Sequence, residues 1–150
     1  MESLFKPEAA QKFITRINQL TPQSQANWGK MNVGQMLTHC QRPLEIASGK
    51  LVPKVNPIIK LIFGRRAKRQ IMEQKQFNKN IPTFREAMIT DERVFETEKK
   101  KLIEAIEHFH KSGPEGIIKA PHPFFGEMTI EEWDVLQTKH LDHHLRQFWV

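Results

Sequence analysis

Three histidines crowd five positions in KHLDHHLRQF, residues 139–148: His140, His143 and His144. Residues four apart share one face of an α-helix, so the His140 and His144 imidazoles can converge on one point. An i, i+4 histidine pair is a common way to hold a transition metal. Trp133, Leu136, His140, His144 and Gln147 follow steps of three and four. The pair therefore continues an apolar stripe inward, and His143 falls off it, free to reach a carboxylate or point to water.

Two ligands rarely suffice, and His39 is the best third, at the edge of an apolar helical stripe between Met36 and Pro43. His108 and His110 end another helix, and His122 sits in a loop. Three neutral imidazoles would leave a divalent cation its full charge and one coordination position open. Such a cation lowers the pKa of a bound water or deprotonates a thiol, which makes hydrolysis and thiol activation both accessible. No general base stands out, since Glu45 is six residues from His39. Cys40 lies in the apolar stripe and reads as core. A di-iron carboxylate site needs paired Glu-x-x-His motifs, and only Glu107 and His110 have that spacing. Arg146 and Gln147 could orient a substrate, although a helix end is usually solvated.

The elements that must position these residues are helices. The first should start near Pro7, with Ala10, Phe13, Ile14, Ile17 and Leu20 at helical spacing. The second should start at Asn32 with Gln35 in a capping box, and end at SGK with Gly49 as its terminator. Pro43 inside it removes a hydrogen bond to the His39 carbonyl, so a kink close to His39 is expected. Residues 51–90 suggest a turn, two short helices and a loop at NKNIPTF. A third long helix should span residues 90–111, lined by Val94, Phe95, Leu102, Ala105, Ile106 and Phe109 and stopped by SGP. HPFFG, residues 122–126, reads as an apolar plug under the helices, or as a mouth that would bring His122 near the site. The last helix opens on a Thr129–Glu132 capping box. Strand alternation never persists. These elements make an all-α protein, a four-helix bundle with extra short helices between helices 2 and 3.

Two stretches carry a family resemblance. HLDHHLRQF resembles the last-helix signature of the DinB-like, or YfiT-like, superfamily of metal-dependent proteins, a His-x-x-His-His run followed by a short Arg/Gln element. WGKMNVGQMLTHCQ, residues 28–41, resembles that superfamily's tryptophan, loop and first-histidine helix. HPFFGEMTIEEWDVLQTKHLDHHLRQF is closer still to a bacterial branch of unassigned function. The resemblance spans almost the whole chain, so residues 1–150 read as a single DinB-like helical bundle domain. It implies metal ligands at His39, His140 and His144, and a divalent ion such as nickel, zinc or iron. It also implies relatives that act as thiol-dependent S-transferases or isomerases with a low-molecular-weight thiol as cosubstrate. Together with the hydrolysis that the site chemistry allows, a metal-dependent enzyme, a thiol-dependent transferase or a hydrolase, acting on a small-molecule substrate is expected. The chain departs from many relatives in having HHLRQF in place of HHRGQ, which puts substrate contacts, not ligands, in doubt.

The totals bound the alternatives. One hundred and fifty residues, 39% apolar and 27% charged, suit one soluble domain that needs no staple. A single cysteine excludes an internal disulfide and fits a reducing compartment. No signal pattern or membrane-length apolar run occurs, so a cytoplasmic protein without a membrane partner is expected. A homodimer is compatible with the chain. The net charge of +6 is concentrated in residues 60–75, where Lys60, Arg65, Arg66, Lys68, Arg69 and Lys75 face Glu73 alone. The alternative function is therefore a non-enzymatic helical module that uses this segment on nucleic acid or an acidic protein. Low aromatic content there disfavours base stacking and hence nucleic acid.

Overall fold

The computed structural model describes residues 2–74 and 76–150, so Lys75 of the basic segment lies outside the described residues. The described residues form five α-helices, α1 (Pro7–Asn18), α2 (Val33–Ala47), α3 (Pro57–Glu73), α4 (Phe95–Ser112) and α5 (Ile130–Gln147), with a three-residue 3-10 turn in each of the last two connections. The described residues contain no strand, only an isolated bridge between His122 and Gly126. α2 packs on α4 and α5, and α1 packs on the same two helices. Their stripes meet in one core that includes Phe13, Ile17, Met36, Leu37, Leu102, Ile106, Trp133, Leu141 and Leu145.

The helix starts follow local chemistry. Asn32 and Gln35 form the expected reciprocal cap, and so do Thr129 and Glu132. Each satisfies backbone donors that the first turn leaves free. Gly49, at φ +75°, takes the left-handed position that ends α2. α2 runs through Pro43 without interruption.

Two expectations are corrected. The connection after α2 holds one 17-residue helix, α3, where two short ones were expected. Asn56 caps it by accepting from the Ile58 and Ile59 amides, and Pro57 occupies its first turn. The helix continues through GRRAKRQ, and Gly64 lies on the side where it touches the rest of the chain. A Cβ there would lie 2.4 Å from the Phe124 carbonyl oxygen, so glycine permits the close approach. α4 begins at Phe95, not near Thr90. Residues before it run across the start of α2, with the Asp91 carbonyl accepting from Gln35 and the Arg93 carbonyl 2.8 Å from where a Gly34 Cβ would stand. Val94 is accordingly exposed.

α3 contacts α5, and one side chain fastens its end. Lys139 is buried, and its Nζ donates to the carbonyls of Ile71 (2.6 Å), Met72 (3.0 Å) and Gln74 (2.6 Å). These are carbonyls that the last turn of α3 cannot satisfy itself, and the ammonium complements the negative end of the helix. Lys139→Met keeps the stem and removes three charge-assisted hydrogen bonds. It is expected to cost about 2–3 kcal/mol in urea unfolding and to speed amide exchange across the end of α3. Unchanged exchange there would show that the clamp does not hold α3.

Candidate metal centre

His39 is on α2, and His140 and His144 are one turn apart on α5. The α2–α5 packing that joins them is set by Leu37, Leu44, Leu141 and Leu145 in the core and by Gln137 Nε2, which donates to the Pro43 carbonyl. His39, His140 and His144 are 6, 9 and 8% exposed. Ring centroids are 4.9 Å apart for His39–His140 and 4.6 Å for each of the other two pairs. One nitrogen from each ring lies within 4.8 Å of the other two. The three residues separated by a hundred positions thus meet in one buried cluster.

The orientation of two rings is imposed from behind. The Ala87 carbonyl, in the 3-10 turn Arg85–Ala87, is 2.7 Å from His39 Nδ1. A carbonyl can only accept, so Nδ1 carries the proton and Nε2 presents its lone pair inward. Gln147 does the same for His144. Its Nε2 donates to the Trp28 carbonyl at 2.6 Å, which turns its Oε1 toward His144 Nδ1 at 2.8 Å. His144 Nδ1–H donates, and its Nε2 lone pair is left free. Gly29, at φ +81°, makes room for this amide, because a Cβ there would stand 2.7 Å from Gln147 Nε2.

His39 Nε2 and His140 Nε2 are 3.0 Å apart. Two ring nitrogens at that distance need one proton or one cation between them. Burial disfavours the imidazolium form in all three rings. It lowers the His39 pKa despite the Ala87 hydrogen bond, which works upward, and pushes His144 down to about 3. His140 is held well below its ordinary value by burial and by its histidine neighbours. All three are neutral at pH 7 and can offer lone pairs.

The cluster fits a divalent ion. Tetrahedral coordination with metal–nitrogen bonds of about 2.0–2.1 Å puts ligand nitrogens about 3.3 Å apart. The observed spacing brackets that value. The pattern of a ligand imidazole whose second nitrogen donates to a carbonyl or amide oxygen is usual around metals, where it fixes the tautomer.

The remaining sequence candidates are placed elsewhere. His143 faces the Trp28 and Phe77 rings, at 5.5 and 5.9 Å, beside a cleft also lined by Lys79, Asp142 and Arg146. Arg146 pairs with Asp142 at 2.8 Å. His108 is exposed, and His110 Nδ1 lies 3.0 Å from the Phe5 carbonyl. His122 is buried against Trp133 and Phe125, where its Nδ1 accepts from the Phe124 and Phe125 amides. The HPFFG segment is thus a packed plug, and His122 is not part of the cluster. Cys40 is buried beside Met36 with its thiol pKa raised by burial, the core role its position suggested. Glu45 is tied to Arg42 at 2.7 Å. Gln147, on the inward stripe, is 3% exposed and orients a histidine, in place of the substrate contact or solvated helix end weighed for it. The Ala87 carbonyl was missed entirely, since a backbone acceptor has no sequence signature.

The sequence profile of the family described as "Protein of unknown function (DUF1569)" matches residues 3–149, and the chain belongs to that family. No curated protein and no solved structure matches it. No helix among the described residues is long and apolar enough to cross a membrane.

Proposed function

We propose that this DUF1569 chain is a DinB-like four-helix bundle that holds one divalent metal ion on His39, His140 and His144 and uses it in catalysis. The single observation that carries the reading is the 3.0 Å approach of His39 Nε2 to His140 Nε2, with His144 in reach and two of the three rings oriented from behind. An all-imidazole set suits zinc, nickel, iron or copper better than magnesium or calcium. Three protein ligands leave room for a fourth. The ion would supply Lewis acidity toward a water or a thiol.

The chain's own groups then have distinct roles. Ala87 and Gln147 keep two imidazoles in the tautomer that faces inward. Phe77, 6.1 Å from the His140 ring, keeps bulk water from the cluster. The cleft between Trp28, Phe77 and His143 is the approach, and Lys79 and Arg146 bias it toward a small substrate with an anionic group. Lys79 already lies 4.4 Å from the Trp28 ring, where it can be drawn to such a group. Cys40 is excluded as a nucleophile by its burial. A transferase acting on a low-molecular-weight thiol and a hydrolase both fit these groups.

Elemental analysis of protein purified without a nickel column is the test. About one divalent ion per chain is expected, removable by a chelator and restored by zinc or nickel. A chain that neither carries nor takes up a stoichiometric ion overturns the reading. If chelation melts the fold, the ion is structural and catalysis is withdrawn.

A further inference from the structure

The metal centre makes no use of the outer side of α3. Its first two turns expose Ile58 (67%), Leu61 (83%), Ile62 (60%) and Phe63 (52%), and Val52 in the preceding segment is 74% exposed. Immediately after them, on the same side as Ile58 and Ile62, stand Arg65, Arg66 and Arg69, all exposed. At about 100° per residue the apolar side chains spread over about 200° of the helix tip, with Leu61 and Phe63 at its two edges. The arginines are confined to the outer side of the following two turns. α3 is thus amphipathic along its axis, apolar at one end and cationic in the middle. Its inner side is committed elsewhere, with Gly64 against the Phe124 carbonyl and Lys68 bonded to Glu132 at 3.0 Å and to the Glu127 carbonyl at 2.8 Å.

An occupant must take both halves at once. Nucleic acid would satisfy the arginines and leave the aliphatic tip against sugar and phosphate with nothing apolar to meet. A second copy of the chain would cover the apolar tip but bring no negative charge to the arginines. A groove on an acidic protein would cover one side of the tip, whereas Leu61 and Phe63 project in widely different directions. A fluid acyl layer covers a tip from all sides, and anionic headgroups lie at the depth where the arginines stand. Interfacial helices bury their apolar part about 5–10 Å into that boundary. Ile58 to Phe63 rise about 7–8 Å along the axis of α3, within that depth.

We propose that α3 is a peripheral anchor whose N-terminal two turns dip into the surface of an anionic lipid bilayer, with Arg65, Arg66 and Arg69 against lipid phosphates. The expectation of no membrane partner came from the lack of a spanning segment, and a surface anchor needs none.

Co-sedimentation of the full chain with vesicles tests this. Binding is expected to phosphatidylglycerol vesicles at low salt and not to phosphatidylcholine alone. Ile58→Ser and Ile62→Ser should each lower partitioning roughly tenfold, at low and at moderate salt. The triple variant Arg65→Gln, Arg66→Gln, Arg69→Gln should lower it about a hundredfold at low salt, a difference that shrinks as salt rises. All five positions are exposed, and an unchanged thermal melt of each variant shows that the fold is kept. The proposal is overturned by the absence of binding to phosphatidylglycerol vesicles, or by binding indifferent to Ile58→Ser and Ile62→Ser. It is also overturned if sedimentation velocity shows a self-associated chain that the isoleucine variants dissociate and vesicles do not bind.

Discussion

His140→Ala is expected to abolish stoichiometric metal, with an affinity loss greater than about a hundredfold. Removing an orienting hydrogen bond around a metal already costs about 10–100-fold, and losing a ligand exceeds it. The structure makes the comparison quantitative. His143 is next to His144 in sequence but faces Trp28 and Phe77. His143→Ala should therefore leave about one ion per chain and alter only the cleft. Gln147→Leu should fall between the two, because it removes the acceptor that holds His144 Nδ1–H while keeping all three rings. Titration of each chelated variant with zinc, read by calorimetry, checks the order. Equal affinity in the wild type and His140→Ala would mean that any ion sits elsewhere.

Acidification of the metal-free chain should destabilise it by about 4 kcal/mol between pH 7 and pH 5. Burial holds the His144 pKa down at about 3 and the His122 pKa at about 4. In the unfolded chain both return to the ordinary value of 6.5. Below that value the unfolded state binds protons that the folded state refuses, so stability falls as pH falls. The loss starts near 6.5 and continues to about 4 for His122 and about 3 for His144. By pH 5 each contributes about 2 kcal/mol. His39 and His140 act in the same direction. Urea unfolding with chelator present, at steps from pH 8 to 5, measures this. A flat profile would show that these rings gain protons without unfolding the chain. Bound metal should raise the whole curve and leave its slope unchanged, since the folded rings that would hold the ion carry no protons over this range.

What could be read beforehand was whatever depends on local spacing. The i, i+4 pair on α5, the inward stripe from Trp133 to Gln147, and both capping boxes follow from helical periodicity and short-range hydrogen bonds. His39 was found because it shares its stripe with core residues of α2. The rest depends on contacts made across the chain. The length of α3 was missed because its apolar and basic residues do not separate onto two faces, so no stripe marks it. The start of α4 was set too early because Val94 looks like a stripe residue, while the Gln35–Asp91 contact that holds the preceding segment extended is tertiary. The roles of Gln147 and the Ala87 carbonyl arise from how the loop at Trp28 and the turn at residues 85–87 fold back onto the helices.

The ammonium of Lys139 grips the end of α3, and Lys139 shares a peptide unit with His140. A pull on α3 is therefore one peptide unit from the imidazole whose Nε2 lies 3.0 Å from that of His39. The outer helix and the buried cluster are joined by a short lever with its fulcrum in α5, so tugging at the rim is felt at the centre.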